Sequence, residues 1–208
     1  MLDGAAGPLE VVINDPLDEK PGASRRGIAL IAHPHPLHGG TLDNKVVQTL
    51  AKAFHAQGYL AVRMNFRGVG GSGGTFDEGV GETEDWLIVA EAMLRRFGAL
   101  PLLLAGFSFG GFVISRVANR LIADRTPPEK VVLVAPAVGR FAVEAVPAGT
   151  LVIQGEQDDV VALADVLEWA RPQHLPVVVL PGAGHFFHGN LPELQRIVHS
   201  SCACAGGG

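Results

Sequence analysis

Short apolar, β-branched runs alternate along this chain with segments whose apolar residues recur at helical spacing, and that alternation leaves few folds open. The runs are LEVVI near Leu9, GIALIA, LAVRMNF, PLLLAGF, KVVLVA, TLVIQG and PVVVLPG. Most are apolar throughout rather than at every second residue, which predicts strands covered on both faces. Between them, Val46, Val47, Leu50, Ala51 and Phe54 share one helix face. Trp86, Val89, Ala90, Met93 and Phe97 share a second, and Val113, Ile114, Val117, Ala118 and Leu121 a third. Strands joined by crossover helices predict an α/β three-layer sandwich, a mostly parallel sheet flanked by helices, with the loops at its carboxyl edge free for chemistry.

The 208 residues fit a single domain, expected over residues 1–200 and followed by a flexible tail, 201–208. Both cysteines, Cys202 and Cys204, fall in that tail, so neither a core disulfide nor a cysteine nucleophile is expected in the body. Only PAVGRFAVEAVPAG separates KVVLVA from TLVIQG, too little for a lid domain. A formal charge of -5, with no basic run, argues against nucleic acid and anionic lipid as partners. The first residues carry no positive leader, and no window approaches the roughly 20 apolar residues of a bilayer span. A cytoplasmic location without membrane contact is therefore expected, and oligomeric state is not legible.

The most informative segment is LLLAGFSFGGFVIS, which sets Gly106-Phe107-Ser108-Phe109-Gly110 between a strand and a helix. In that context G-x-S-x-G describes a sharp turn that holds a serine in a strained conformation with its hydroxyl exposed. A serine nucleophile needs a neighbouring base, itself oriented by a carboxylate. Asp158 follows the strand TLVIQG, with Asp159 as rival acid, and His185 follows PVVVLPG, with His188 as rival base. Each candidate lies just beyond a strand's carboxyl end, where residues from different strands converge.

The order Ser108, Asp158, His185, the serine turn and the strand-helix alternation resemble the α/β-hydrolase superfamily over nearly the whole chain. AHPHPLHGGTLDNKVV, VRMNFRGVGGSGGTFDEGVGE and GHFFHG are similar to small, lidless bacterial hydrolases related to dienelactone-hydrolase-like esterases. Dienelactone hydrolases use cysteine where this chain has Ser108, which favours ordinary ester chemistry. The resemblance implies a sheet lacking the superfamily's first strand and a site needing no cofactor. It also implies an oxyanion hole built from the N–H of Phe109 and one from the loop after GIALIA. Pro34 and Pro36 have no N–H, so Leu37 is the first choice there and His35 the reserve.

Two other motifs compete. His33, His35 and His38 reproduce the H-x-H-x-D-H spacing of metallo-β-lactamase-like hydrolases, except that Leu37 replaces the aspartate; three imidazoles can still hold zinc with an open position. Gly68-Val69-Gly70-Gly71-Ser72-Gly73 matches G-x-G-x-x-G, but Thr75 to Gly79 intervene before helical periodicity resumes near Glu82, so it reads as a surface loop, with Arg67 structural. The expectation is a serine hydrolase of the carboxylesterase type acting on a small-molecule ester, with thioesterase, amide hydrolase, metallohydrolase and non-catalytic binding protein as alternatives. His38, Phe107, Phe109, Phe186 and Phe187 are expected to border its pocket.

Overall fold

The computed structural model describes residues 1–19 and 24–203. Its core is a seven-stranded sheet in the order β3-β5-β4-β6-β7-β8-β9. These strands are β3 (Val11–Asn14), β4 (Gly27–Ala32), β5 (Tyr59–Met64), β6 (Leu102–Phe107), β7 (Lys130–Val134), β8 (Leu151–Gly155) and β9 (Val177–Leu180). All neighbours pair in parallel except the edge strand β3, which runs antiparallel to β5. The segment before it, β1 (Leu2–Gly4) and β2 (Gly7–Leu9), folds into a ribbon of its own instead of extending the sheet. The run LEVVI, expected as one strand, is therefore divided at Glu10.

The reason for the division is polar. Glu10 lends its carboxylate to the Asn65 Nδ2 and Gly71 N–H groups, each at 2.7 Å, while its own N–H donates to Ser72 Oγ at 2.9 Å. The glycine-rich loop after β5 is thereby pinned to the sheet edge. It opens no helix, as its surface-loop reading requires.

Strands β4, β5 and β6 are buried at every residue, and helices cover both faces. In β4, Ile28, Leu30 and Ala32 join one cluster with α3 (Val80–Phe97), α4 (Phe109–Ala123) and α5 (Leu163–Ala170). Ala29 and Ile31 point the other way, toward α2 (Lys45–Ala56) and α6 (Leu191–Ala203). The remaining helix, α1 (Pro16–Glu19), is one short turn. Cys202, 1% exposed, packs in this second cluster, so the folded body continues past residue 200; Cys204 lies outside the described residues.

Chain connectivity locates the site. From β4 the chain crosses through α2 to β5 on one side, whereas β6 leads through α4 to β7 on the other. β4 and β6 are adjacent, so their carboxyl ends flank the point where the connections diverge, the usual ligand crevice of an open parallel sheet. The loop at His33 and the turn at Ser108 leave from these two ends.

Arg67 closes the rim as a structural residue. Its Nε and Nη2 donate to the two Asp85 carboxylate oxygens, both at 2.9 Å, and Nη2 also donates to Gly81 O at 2.8 Å. Asp85 is fully buried and Arg67 only 8% exposed. Asp85→Ala removes the bidentate partner of a buried guanidinium, leaving it only Gly81 O and the exposed Asp77 carboxylate at 3.7 Å, and is expected to cost about 3 kcal/mol, read as a lower urea midpoint with an unchanged slope.

Candidate active site

Ser108 occupies the junction of β6 and α4 with φ 55° and ψ -118°, a backbone conformation few non-glycine residues adopt. The glycines around it permit the fold-back. A Cβ on Gly106 would lie 2.3 Å from Gly110 O, and one on Gly110 would lie 2.4 Å from Ala32 O of β4. Four hydrogen bonds hold the turn: Ser108 N–H donates to Val134 O, and the Gly111, Phe112 and Ala137 N–H groups donate to Ser108 O. Phe109, the first residue of α4, has a backbone N–H with no acceptor among the described residues.

The base and acid candidates arrive from the loops after β9 and β8. His185 Nε2 lies 3.1 Å from Ser108 Oγ, and its Nδ1 lies 2.8 Å from Asp158 Oδ2. An ionised carboxylate only accepts, so Nδ1 carries the proton and Nε2 faces the serine hydroxyl as acceptor. Asp158 Oδ1 accepts from the Val160 and Val161 N–H groups, at 2.9 and 2.7 Å. Burial pushes the Asp158 carboxyl upward, but the His185 ring and these amides outweigh it and hold the group below its ordinary 3.8. The rivals stand aside: Asp159 and His188 are exposed, and the His188 ring lies 6.0 Å from that of Phe186.

A further contributor, unmarked in the sequence reading, is Gln154 of β8. Its Nε2 donates to Asp158 Oδ2 at 2.9 Å and to Val161 O at 2.8 Å, while its buried Oε1 finds no partner among the described residues. The available signal was a lone amide within the apolar run TLVIQG. Phe107, expected at the pocket border, is fully buried beneath the site, its ring 5.0 Å from that of His185. Phe187 is likewise a core residue.

The histidines of HPHPLHGG have separate roles. His33 is fully buried; its Nδ1–H donates to Pro34 O at 2.7 Å, and its Nε2 accepts the Phe66 N–H at 2.9 Å. Both ring nitrogens are thus committed to backbone, and His33 has none to offer a metal. No group of three potential ligands converges among the described residues, so the three-imidazole zinc reading fails on geometry. His35 begins a short helical turn, where its Nδ1 accepts the Leu37 N–H at 3.3 Å. That bond occupies the Leu37 amide, and the Leu37 side chain is 69% exposed. Leu37 is corrected as an oxyanion donor on this ground; the His35 N–H, by contrast, has no acceptor among the described residues.

Residues 35–149 match the model of the family described as serine aminopeptidase, S33. A lidless α/β serine hydrolase of Xanthomonas campestris superposes with a TM-score of 0.88 at 37% identity, covering 97% of this chain and 91% of that one. The chain is an α/β serine hydrolase. A second relative of this hydrolase, from Rickettsia prowazekii, is 32% identical over 83% of the chain and 76% of its own length. The lysophosphatidylserine lipase of Danio rerio is 34% identical over 48% of the chain, which spans only 26% of that lipase.

The hydrolase carries a cavity of about 520 Å³ above Ser108 and His185, bordered among others by His35, His38, Phe109, Phe141 and Phe186. None of the described residues lining it is acidic. No helix among the described residues is long and apolar enough to cross a membrane.

Burial drives the His33 pKa from 6.5 down to about 4. The unfolded chain therefore takes up a proton that the native state refuses, and stability present above pH 6.5 is lost as pH falls toward 4. The difference corresponds to roughly 3 kcal/mol. Thermal unfolding midpoints measured from pH 7 to 4 should fall in the wild type, and His33→Asn, which cannot titrate, should flatten that fall.

Proposed function

We propose that this hydrolase cleaves small carboxylic esters through an acyl-enzyme intermediate, with Ser108 as nucleophile, His185 as base and Asp158 as orienting acid. The observation carrying the reading is the continuous hydrogen-bond chain from Asp158 through His185 to Ser108 at the floor of the cavity. Ser108 Oγ attacks the carbonyl carbon as its proton passes to His185 Nε2. Asp158, already ionised, steadies the imidazolium without taking the proton. The carbonyl oxygen, now negative, receives hydrogen bonds from the Phe109 and His35 N–H groups, and the N-terminal end of α4 adds its dipole. Collapse expels the alcohol, which takes its proton from His185. Water activated by the same ring then releases the acid.

Esters are preferred over peptides because an aminopeptidase must receive a substrate ammonium group. The cavity offers that cation no carboxylate, and its wall already holds Arg140. Thioesters share the ester mechanism and use the same groups.

Ser108→Ala should abolish hydrolysis of p-nitrophenyl acetate and labelling by a fluorophosphonate; turnover persisting at the wild-type rate would refute the reading. The oxyanion assignment has its own measurement. His35 has φ -53°, a value proline adopts, so His35→Pro removes the N–H with little change of backbone. Its kcat should fall on the order of 10²-fold or more below that of His35→Ala, which keeps the amide.

A further inference from the structure

Among the described residues lining the cavity, Arg140 alone bears a fixed charge, in a chain whose net charge is -5. Phe109, Phe141, Phe186 and Val160 supply the apolar part of the wall, and His35, His38 and Asn44 the neutral polar part. Arg140 is itself exposed at the mouth of the cavity, and no carboxylate pairs with it among the described residues. Asp159 and Asp165, on adjoining segments, form no ion pair with it; Arg25, Arg67, Arg120 and Arg196 are all paired with carboxylates.

The position of Arg140 is set by the proposed catalytic groups themselves. On one side, Ala137 N–H donates to Ser108 O, and Ala137 O accepts from the Arg140 and Phe141 N–H groups. On the other, Arg140 Nε donates to Val160 O at 3.1 Å, and Val160 N–H donates to Asp158 Oδ1. Short hydrogen-bonded links thus tie this side chain to both the nucleophile turn and the acid loop. Its Nε is used as a tether, while Nη1 and Nη2 have no partner among the described residues. Two free NH2 groups on a planar fork match the paired oxygens of a carboxylate or phosphate.

We propose that Arg140 makes this hydrolase selective for esters bearing an anionic group, a carboxylate or phosphate, close to the scissile carbonyl. The inference rests on the ester-hydrolase reading above. The phenylalanines hold the hydrocarbon part of the substrate, and the guanidinium fixes its charged end. A neutral ester uses the same reacting groups without that anchor, so the difference is expressed in KM more than in kcat.

Two matched pairs test it with the purified full chain. p-Nitrophenyl butyrate against mono-p-nitrophenyl glutarate places the charge on the acyl side; phenyl acetate against 3-carboxyphenyl acetate places it on the alcohol side. In one pair, kcat/KM for the charged member is expected to exceed the neutral one on the order of tenfold, mainly through KM. That ratio should fall toward one in Arg140→Gln and shrink in 0.5 M NaCl, and the pair showing it identifies the side that carries the anion. Equal values within both pairs, or a preference that persists in Arg140→Gln, would overturn the proposal. Failure of the wild type to cleave any of the four esters would instead defeat the ester-hydrolase reading on which it rests.

Discussion

The close approach of the start of α4 to the end of β4 is the constraint on which the rest of this structure depends. Gly110 lies against the carbonyls of Ala32 and His33 with no room for a Cβ, and Gly106 lies as tightly against Gly110. Only that contact lets the strand-to-helix turn fold over the sheet edge and hold Ser108 at positive φ. The strain, of order 1–3 kcal/mol, persists because Val134, Gly111 and Ala137 over-determine the turn through backbone hydrogen bonds. The same contact sets the Ser108 turn beside the histidine-rich loop that leaves β4. Ser108, two amides with no acceptor among the described residues and a cavity thus share one edge because two glycines allow two backbones to meet.

Polar burial around that edge is costly and specific. Asp158 keeps its charge indoors because each oxygen is met by donors, from His185 and Gln154 on one side and two backbone amides on the other. Gln154 leaves its Oε1 without a partner among the described residues to do so, a local cost of orienting the carboxylate. His33 is neutral because burial disfavours its charge, and protonating Nε2 would also abolish the bond that it accepts from the Phe66 N–H. The histidine cluster that suggests a metal is therefore divided between a buried strut, His33, and residues facing the cavity, His35 and His38.

Much of this was legible because it is written in short-range periodicity and composition. Unbroken apolar runs dictate a covered parallel sheet, helical spacing at Val46–Phe54 dictates a covering helix, and glycines flanking a serine between a strand and a helix dictate a tight turn. Glu10 was less legible, since its apolar neighbours conceal that its carboxylate binds a loop more than fifty residues away. α6 escaped because its apolar stripe at Leu194 and Val198 is sparse and its end looks like a tail. Leu37 was misjudged as the free amide of the histidine-rich loop because eliminating prolines says which amides exist, not which are already bonded.

The sequence by itself determined the layered α/β architecture, the strained serine turn and the presence of an acid and an imidazole beyond two later strands, since each follows from residue type and local spacing. Only the tertiary structure decided that His185 and Asp158, rather than His188 and Asp159, meet Ser108, that Gln154 braces the acid, and that Arg140 stands unpaired in the cavity wall. Those outcomes depend on how loops from distant strands are carried to a common edge. Their hydrogen bonds join residues up to 77 positions apart, a separation over which local propensity carries no information.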